Sequence, residues 1–362
     1  RQVMVWENAP EFAALGAGLQ LAPNAVLDLD QLGLLPEVAK HAVFPSRLVW
    51  MDAIREQPIT AIDLGPEFQS RYKQRYVVMH RSDLLSLLLA ACQAEPWIVL
   101  EPSRDVAQIE DLGDVARATC TDGTSVEAEL LVGADGLSSI ARRLIVDDAP
   151  VNDGYVAYRG TLPMAQMSTH AGLDNVVMWV GPAMHFVQYP IRRAELYNQV
   201  AVFRSPRYAP GVAEWGTVDE LDAHYAQTCA YVQACVKLMW RDRRWPMHDR
   251  RPIGTWTRGR IVLMGDAAHA MYQYIAQGAC QAIEDALCLA KSVASAPADL
   301  PAALKAYETA RKYRTARVQL TARAMGAFFH LDGFAAETRN QMMAARNPTD
   351  YAMLDWLYGH KV

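Results

Sequence analysis

The sequence predicts a mixed α/β fold, in which a Rossmann-like sheet domain is interrupted by an antiparallel-sheet insert and followed by C-terminal helices. First, three short apolar runs, at residues 3–6, 130–132 and 261–264, end in an acid or a glycine, as buried parallel strands do. Second, residues 151–250 contain a series of short strand-like runs. Third, helical periodicity follows the last apolar run, which predicts helices in the C-terminal part.

The first element is the apolar run at residues 3–6, which closes with Glu7. An acid at this position is where a dinucleotide-binding fold holds ribose hydroxyls, although an exposed strand-end acid is the simpler alternative. The chain starts at Arg1, and no GxGxxG loop precedes the run. We therefore expect the first strand, its glycine loop and its helix, roughly 30 residues, to be missing from this chain.

The next segments predict a loop and two helices. Residues 15–24 predict a glycine-bearing loop, and residues 25–35 predict the helix that follows it. Helical periodicity returns over residues 80–91, where Ser82 is a suitable N-cap.

Short strands dominate from residue 100 to the end of the insert. Asp122-Gly123 predicts a hairpin turn. Within the insert, strands are expected at residues 155–161, 176–180, 185–190 and 199–203. In the third of these, a period of two puts His185, Val187 and Tyr189 on one face. A lone histidine on a sheet is more often structural than catalytic, so the pattern alone favours a structural His185.

Acid–glycine pairs follow two of the apolar runs, as Asp135-Gly136 and as Gly265-Asp266. Cofactors bind at the carboxyl ends of parallel strands, where helix N-termini and free backbone N–H groups converge. Each pair alone is weak, but together with Glu7 they indicate a nucleotide cofactor. Helices are expected from about residue 279 to 294 and from about 302 to 325.

Composition excludes several classes of protein. The 362 residues carry a net charge of −5 and a pI near 6.0, which argues against a nucleic-acid partner. No apolar run approaches the ~18 residues of a membrane span. The six cysteines form no CxxC, and His224, Cys229 and Cys235 fit no zinc spacing, so we expect reduced thiols, no metal and a cytoplasmic location. Without a GxSxG elbow, a P-loop or an HExxH motif, hydrolase and triphosphatase functions lose support.

Taken in order, four pieces of the chain resemble the class A flavoprotein aromatic hydroxylases, and the resemblance spans the whole chain. They are Glu7 with residues 16–18 (GAG), residues 80–84 (HRSDL), residues 133–139 (GADGLSS) with Arg142, and residues 265–269 (GDAAH). Further stretches at residues 153–160, 185–190, 245–247 and 330–333 are similar to the 3-hydroxybenzoate 6-hydroxylases. Where most of the superfamily has prolines after residue 269, this chain has Ala270, Met271 and Gln273.

The resemblance implies an oxidoreductase with FAD as cofactor, NADH or alternatively NADPH as reductant, and O2 and a small aromatic acid as substrates. In this family a flavin C4a-hydroperoxide transfers oxygen to an electron-rich ring. Oxygen entering 3-hydroxybenzoate para to its hydroxyl gives gentisate. The implied cofactor contacts are Glu7, Gly18, Arg81, Asp135, Asp266, Gly278 and Ala279. The implied catalytic or pocket residues are His185 as base, Gln273 orienting the hydroxyl, and Tyr189 and Tyr76.

Other functions stay open at this point. The runner-up is a decarboxylating hydroxylase of the salicylate or 6-hydroxynicotinate type, followed by a flavoprotein that only reduces its substrate. An FAD-free binding scaffold is the alternative from another class. The expected domains are an FAD-binding domain of residues 1–150 and 251–300, a substrate domain of residues 151–250, and a helical region of residues 301–362. A homodimer is expected, with residues 351–362 either at its interface or packed on their own chain.

Overall fold

A computed structural model describes residues 2–13, 17–167 and 173–362, and it has the predicted mixed α/β architecture. The strands are β1 Val3–Trp6, β2 Gly18–Leu21, β3 Arg47–Asp52, β4 Pro58–Asp63, β5 Val77–His80, β6 Ile98–Glu101, β7 Val106–Asp111, β8 Ala116–Cys120, β9 Ser125–Ala128, β10 Leu131–Gly133, β11 Tyr155–Pro163, β12 Val176–Gly181, β13 Met184–Ile191, β14 Leu196–Arg204, β15 Trp245–Pro246, β16 Thr257–Arg258 and β17 Ile261–Leu263. The α-helices are α1 Pro23–Gln31, α2 Leu35–His41, α3 Pro66–Tyr72, α4 Arg81–Ala94, α5 Ile140–Arg143, α6 Val218–Tyr225, α7 Ala230–Lys237, α8 Asp266–His269, α9 Gly278–Ser295, α10 Leu300–Phe329, α11 Gly333–Ala344 and α12 Asp355–Tyr358.

The largest sheet has seven strands in the order β15-β11-β14-β13-β12-β3-β4. Its four central strands β11, β14, β13 and β12 are antiparallel neighbours, as predicted for the insert. Sequence reasoning missed β3 and β4, which come from residues 47–63 and extend this sheet, with β3 parallel to β12. One face packs against α6 and α7, whereas the other faces α10 and the 3-10 helix Gln273–Ile275.

Parallel pairing joins the chain segments on either side of the insert. β10 pairs with β17, with Gly133 opposite Leu263, so the segments before and after the insert contribute strands to the same sheet. β1 pairs in parallel with β6, so the predicted strand exists. The prediction that it is buried is wrong, because the Val3 side chain is 48% exposed. Among the described residues β1 has only β6 as a neighbour, and this leaves its apolar side chains partly uncovered.

Two local predictions are wrong. The expected loop at residues 15–24 contains β2, which is held by antiparallel pairing with β5, and the helix after it is α1. Gly16 lies outside the described residues. The N-cap of α4 is His80 rather than Ser82, because the His80 ring accepts the Ser82 backbone N–H at 3.2 Å.

The remaining predicted elements agree with the structure. Gly123 has a positive φ of 86° between β8 and β9, as the predicted hairpin requires. The helices α9 and α10 occupy the predicted stretches. Leu357 and Tyr358 are buried in their own chain's core. Across the ranges described, no helix has the length and apolar character that crossing a bilayer requires.

Candidate active site

The carboxyl ends of β10 and β17 bring two predicted cofactor residues to one edge of the sheet. Asp135 follows β10, and its carboxylate accepts the backbone N–H groups of Ile140 at 2.6 Å and Ala141 at 3.2 Å. Asp266 begins α8 and is exposed. The buried Arg142 guanidinium joins the two motifs by donating to the carbonyl of Ala267 at 2.9 Å. Asp135 therefore holds the start of α5, while the Asp266 carboxylate faces solvent.

A buried charge network fixes the turn that carries Asp266. Gly265 adopts a φ of 61°, and its N–H donates to the Asp285 carboxylate of α9 at 2.9 Å. The same carboxylate contacts Nε2 of His269 at 2.5 Å and Nε of Arg311 at 2.7 Å. Although burial opposes ionisation, His269 and Arg311 hold the pKa of Asp285 below its ordinary value.

The N-terminus of α9 is left uncovered, so its backbone N–H groups can face a bound group that gains electron density. No side chain of the residues described caps the helix, and its first turn holds no acid. A Cβ at Gly278 would meet nothing within 4 Å, and Ala279 is exposed. The neighbouring Gln277 has a buried Nε2 donor without a partner among the described residues. Free N–H groups and the positive end of an 18-residue helix suit the electron-rich edge of a flavin, and the Asp266 carboxylate suits ribityl hydroxyls. The residues present therefore fit FAD.

The other predicted cofactor residues lie on separate elements. Glu7 follows β1, and its carboxylate accepts the Ala9 N–H at 3.0 Å. Arg81 starts α4 and is exposed. Gly18 begins β2 rather than lying in a loop, and a Cβ there would lie 2.5 Å from Cε2 of Tyr189. Within the described part of the chain, the contact that explains this glycine is with the predicted substrate pocket.

The predicted face of β13 carries His185, Val187 and Tyr189. Phe186 and Gln188 belong to the opposite face, where they contact the core under α6 and α7. His185 is buried, and its Nδ1 lies 2.8 Å from Nε2 of His330 at the end of α10. Burial lowers the pKa of His185 to about 3, so its ring is neutral at working pH.

Tyr189 and Tyr76 both hydrogen-bond the side-chain amide of Gln20. The Tyr76 hydroxyl donates to Oε1 of Gln20 at 2.7 Å, and the Gln20 side chain also hydrogen-bonds Tyr189. Both phenols are buried, and burial raises the pKa of each above its ordinary value. They are therefore protonated and can donate hydrogen bonds, but they are poor bases.

Gln273 approaches the same face of the sheet from the 3-10 helix. Its Oε1 accepts Nη2 of Arg159 on β11. A guanidinium only donates, so the amide oxygen must face Arg159, and the Gln273 NH2 group is left as a donor. His185 packs edge-on against the next residue, Tyr274, with 5.4 Å between ring centroids. The structure thus brings His185, Tyr189 and Gln273 to one face.

Arg159 and His330 are site residues whose roles sequence reasoning missed. Both lie in stretches that resemble the hydroxylases, but neither has a motif of its own. The usable signal for Arg159 was a charge at an inward position of an otherwise apolar strand, Tyr155–Pro163. His330 follows a 30-residue helix, and no spacing in the sequence relates it to β13.

Comparison with known proteins shows the family of the chain. The family described as FAD binding domain matches residues 2–322. The chain is 36% identical to 3-hydroxybenzoate 6-hydroxylase 1 of Aquipseudomonas alcaligenes, over 98% of this chain and 91% of that protein. It is 35% identical to 3-amino-4-hydroxybenzoate 2-monooxygenase of Streptomyces cremeus, over 98% of this chain and 88% of that protein. Klebsiella pneumoniae HpxO, solved with FAD and uric acid, shares the fold with a TM-score of 0.83 at 24% identity, over 98% of this chain and 89% of that chain. The chain therefore belongs to the FAD-binding-domain family, as an FAD-dependent aromatic monooxygenase.

Proposed function

We propose that this monooxygenase hydroxylates 3-hydroxybenzoate para to its hydroxyl group and releases gentisate. The observation that carries the proposal is that a neutral His185 and the Gln273–Arg159 pair share one face of the seven-stranded sheet. The similarity to 3-hydroxybenzoate 6-hydroxylases, 34–36% identical over nearly the whole chain, supports this choice of substrate.

His185 and Gln273 have different roles at the substrate hydroxyl. FAD, when bound and reduced, supplies an electrophilic oxygen from O2. His185 accepts the phenol proton at Nε2, because its Nδ1 is already engaged with His330. Gln273 donates its NH2 group to the resulting phenolate oxygen. Phenolate is a far better nucleophile than phenol, and such general-base help contributes about 10²–10⁴-fold to rate.

Attack para to the hydroxyl leaves the substrate carboxylate in place. The Tyr189 hydroxyl, oriented by Gln20, donates a hydrogen bond into the pocket. Phe329 and Tyr274 pack beside His185 and exclude water from the proton that moves. Exclusion of water strengthens each of these polar contacts.

The co-substrates, the location and the assembly form part of the same proposal. NADH as reductant, O2 as oxidant and a homodimer follow from the family resemblance. The six cysteines are all free thiols, which suits the reducing cytoplasm.

The test is product analysis with FAD-loaded protein, NADH, O2 and 3-hydroxybenzoate. We expect one gentisate for each NADH consumed. NADH consumption that yields only hydrogen peroxide would contradict the choice of substrate. CO2 release from salicylate or 6-hydroxynicotinate would instead establish the decarboxylating runner-up. The matched variant His185→Gln keeps the size and polarity of the side chain but removes the base, so gentisate formation should fall by about 10²-fold.

A further inference from the structure

Arg159 lies in the middle of the sheet face that carries His185 and Tyr189. In the sheet register Arg159 lies opposite Val200 of β14, and Val200 lies opposite Val187 of β13. Residues in such a cross-strand row point to the same face. Val187 lies between His185 and Tyr189 on β13. The cross-strand row that contains Arg159 therefore runs between the row of His185 and the row of Tyr189.

The guanidinium of Arg159 has no counter-charge within the described part of the chain. Among residues 2–13, 17–167 and 173–362, no carboxylate lies within salt-bridge distance of it, and its Nε has no hydrogen-bond partner. Burial lowers the pKa of Arg159, and the neighbouring Arg81 lowers it further. Buried charges are normally paired, because an unpaired one is strongly destabilising.

We propose that Arg159 is the anchor for the carboxylate of the aromatic substrate. This inference rests on the proposed function, since it requires an aromatic acid in the pocket. A carboxylate supplies both the missing negative charge and an acceptor for Nε, and its two oxygens match the fork of N–H donors of a guanidinium. The anchor is thus a residue that determines specificity for acids over neutral phenols.

The distances within the sheet fit a single ring. Arg159 lies two residues along and two strands across from His185, that is about 6.5 Å along the strand and roughly 10 Å across the sheet. Their backbones are therefore roughly 12 Å apart, and the two side chains can reach a single substituted benzene ring from opposite sides. Gln273 accepts from Arg159 through Oε1, which leaves its NH2 group as a donor for the hydroxyl end of the substrate. A hydroxyl meta to the carboxylate can then reach His185 while the carboxylate stays on Arg159.

The test is calorimetric binding to FAD-loaded protein without NADH, which needs no turnover. The probes are 3-hydroxybenzoate and salicylate, each paired with its neutral amide. In the unaltered protein we expect one acid to bind about 100-fold more tightly than its amide. In Arg159→Met this preference should disappear, while the amide and FAD bind within threefold of their original affinity. Arg159→Lys should keep part of the preference. Arg204→Met, at an exposed position of the same sheet, is the matched control.

The outcomes separate the anchor from the proposed function. An Arg159→Met protein that keeps its preference for the acid overturns the anchor, as does one that loses FAD affinity instead. Failure of every acid to bind the unaltered protein overturns it as well. An Arg159-dependent preference for salicylate, without binding of 3-hydroxybenzoate, supports the anchor and rejects the proposed substrate.

Discussion

Nδ1 of His185 lies 2.8 Å from Nε2 of His330, and both imidazoles are buried and stacked with 5.1 Å between their centroids. One hydrogen lies between the two nitrogens. For His185 to accept a proton at Nε2, its own Nδ1 must carry that hydrogen and donate it to His330. When Nε2 of His330 carries no hydrogen, it accepts this one, and the contact then favours the tautomer of His185 that a base requires.

Replacing His330 should show whether it positions His185 through a hydrogen bond or only packs against its neighbours. His330→Leu removes the acceptor, and we expect gentisate formation to fall by about 10²-fold, whereas His330→Gln keeps an oxygen acceptor and should retain most of the rate. Product formation by FAD-loaded protein is the measurement. Equal losses in both variants would assign His330 to packing alone, through its stacking on Tyr155 at 4.6 Å between centroids.

A carboxylate at position 273 should compete with the substrate for Arg159. Gln273→Glu places a negative charge next to the guanidinium, so we expect KM for 3-hydroxybenzoate to rise by about 10²-fold with a smaller change in kcat. Gln273→Met adds no charge but removes the amide donor, and should lower kcat more than it raises KM. Steady-state kinetics distinguishes the two patterns. An unchanged KM in Gln273→Glu would argue against a carboxylate on Arg159.

Local sequence patterns predicted those strands and helices whose buried residues recur at a regular spacing. The strands around His185 and the helix after Gly278 follow from periods of 2 and 3.6, which act within one segment. Strands β3 and β4 were missed because they join the insert's sheet from more than 100 residues away. The exposure of Val3 was missed because strand burial depends on neighbours that a single run does not specify.

The site residues that lie in sequence motifs could be predicted, whereas the contacts between distant segments of the chain could not. Asp135 and Asp266 end strands that the sequence shows directly, and the structure makes those strands neighbours. The His185–His330 contact joins residues 145 positions apart. The pairing of Arg159 with Gln273 joins residues 114 positions apart. Such contacts depend on packing between elements, and no spacing within one segment encodes them.

Gly18→Ala should disturb the pocket through Tyr189. A Cβ at Gly18 would lie 2.5 Å from Cε2 of Tyr189 and 2.9 Å from Cγ of Asn198, so the Tyr189 ring must move. We expect the free energy of unfolding to fall by about 1–3 kcal/mol, together with weaker substrate binding. Gly254→Ala, where a Cβ meets nothing within 4 Å, is the control and should change neither. Urea unfolding and calorimetry are the measurements, and equal effects at both positions would contradict the steric explanation.

Arg311 should be essential for the turn that carries Asp266. Its guanidinium pairs with Glu284 and with Asp285, and all three side chains are buried. Arg311→Met leaves two buried carboxylates with less compensation, so we expect a loss of about 3–5 kcal/mol in the free energy of unfolding and weaker FAD binding. Arg55→Met, which breaks an exposed ion pair with Glu337, should have no measurable effect. A stable Arg311→Met protein with unchanged FAD affinity would refute this role.

The neutral state of His185 should be visible in the pH dependence of stability. The pKa of His185 is about 3 in the folded chain against an ordinary 6.5, so below that ordinary value the unfolded chain binds a proton that the folded chain does not. Stability therefore falls with falling pH by about 1.4 kcal/mol per unit between the two pKa values. Asp249 acts in the opposite direction, because burial raises its pKa to about 6 from 3.8.

Comparison with single variants isolates each contribution. Urea unfolding between pH 5 and 7.5 should show that His185→Gln gains stability relative to the unaltered protein as the pH falls below about 6.5, whereas Asp249→Asn loses relative stability as the pH falls from about 6. The sign differs because the unfolded chain is the more protonated state for the histidine, and the folded chain is the more protonated state for the carboxyl. A parallel pH profile for His185→Gln and the unaltered protein would show that His185 has the same pKa in the folded and the unfolded chain, which would contradict a ring kept neutral by burial.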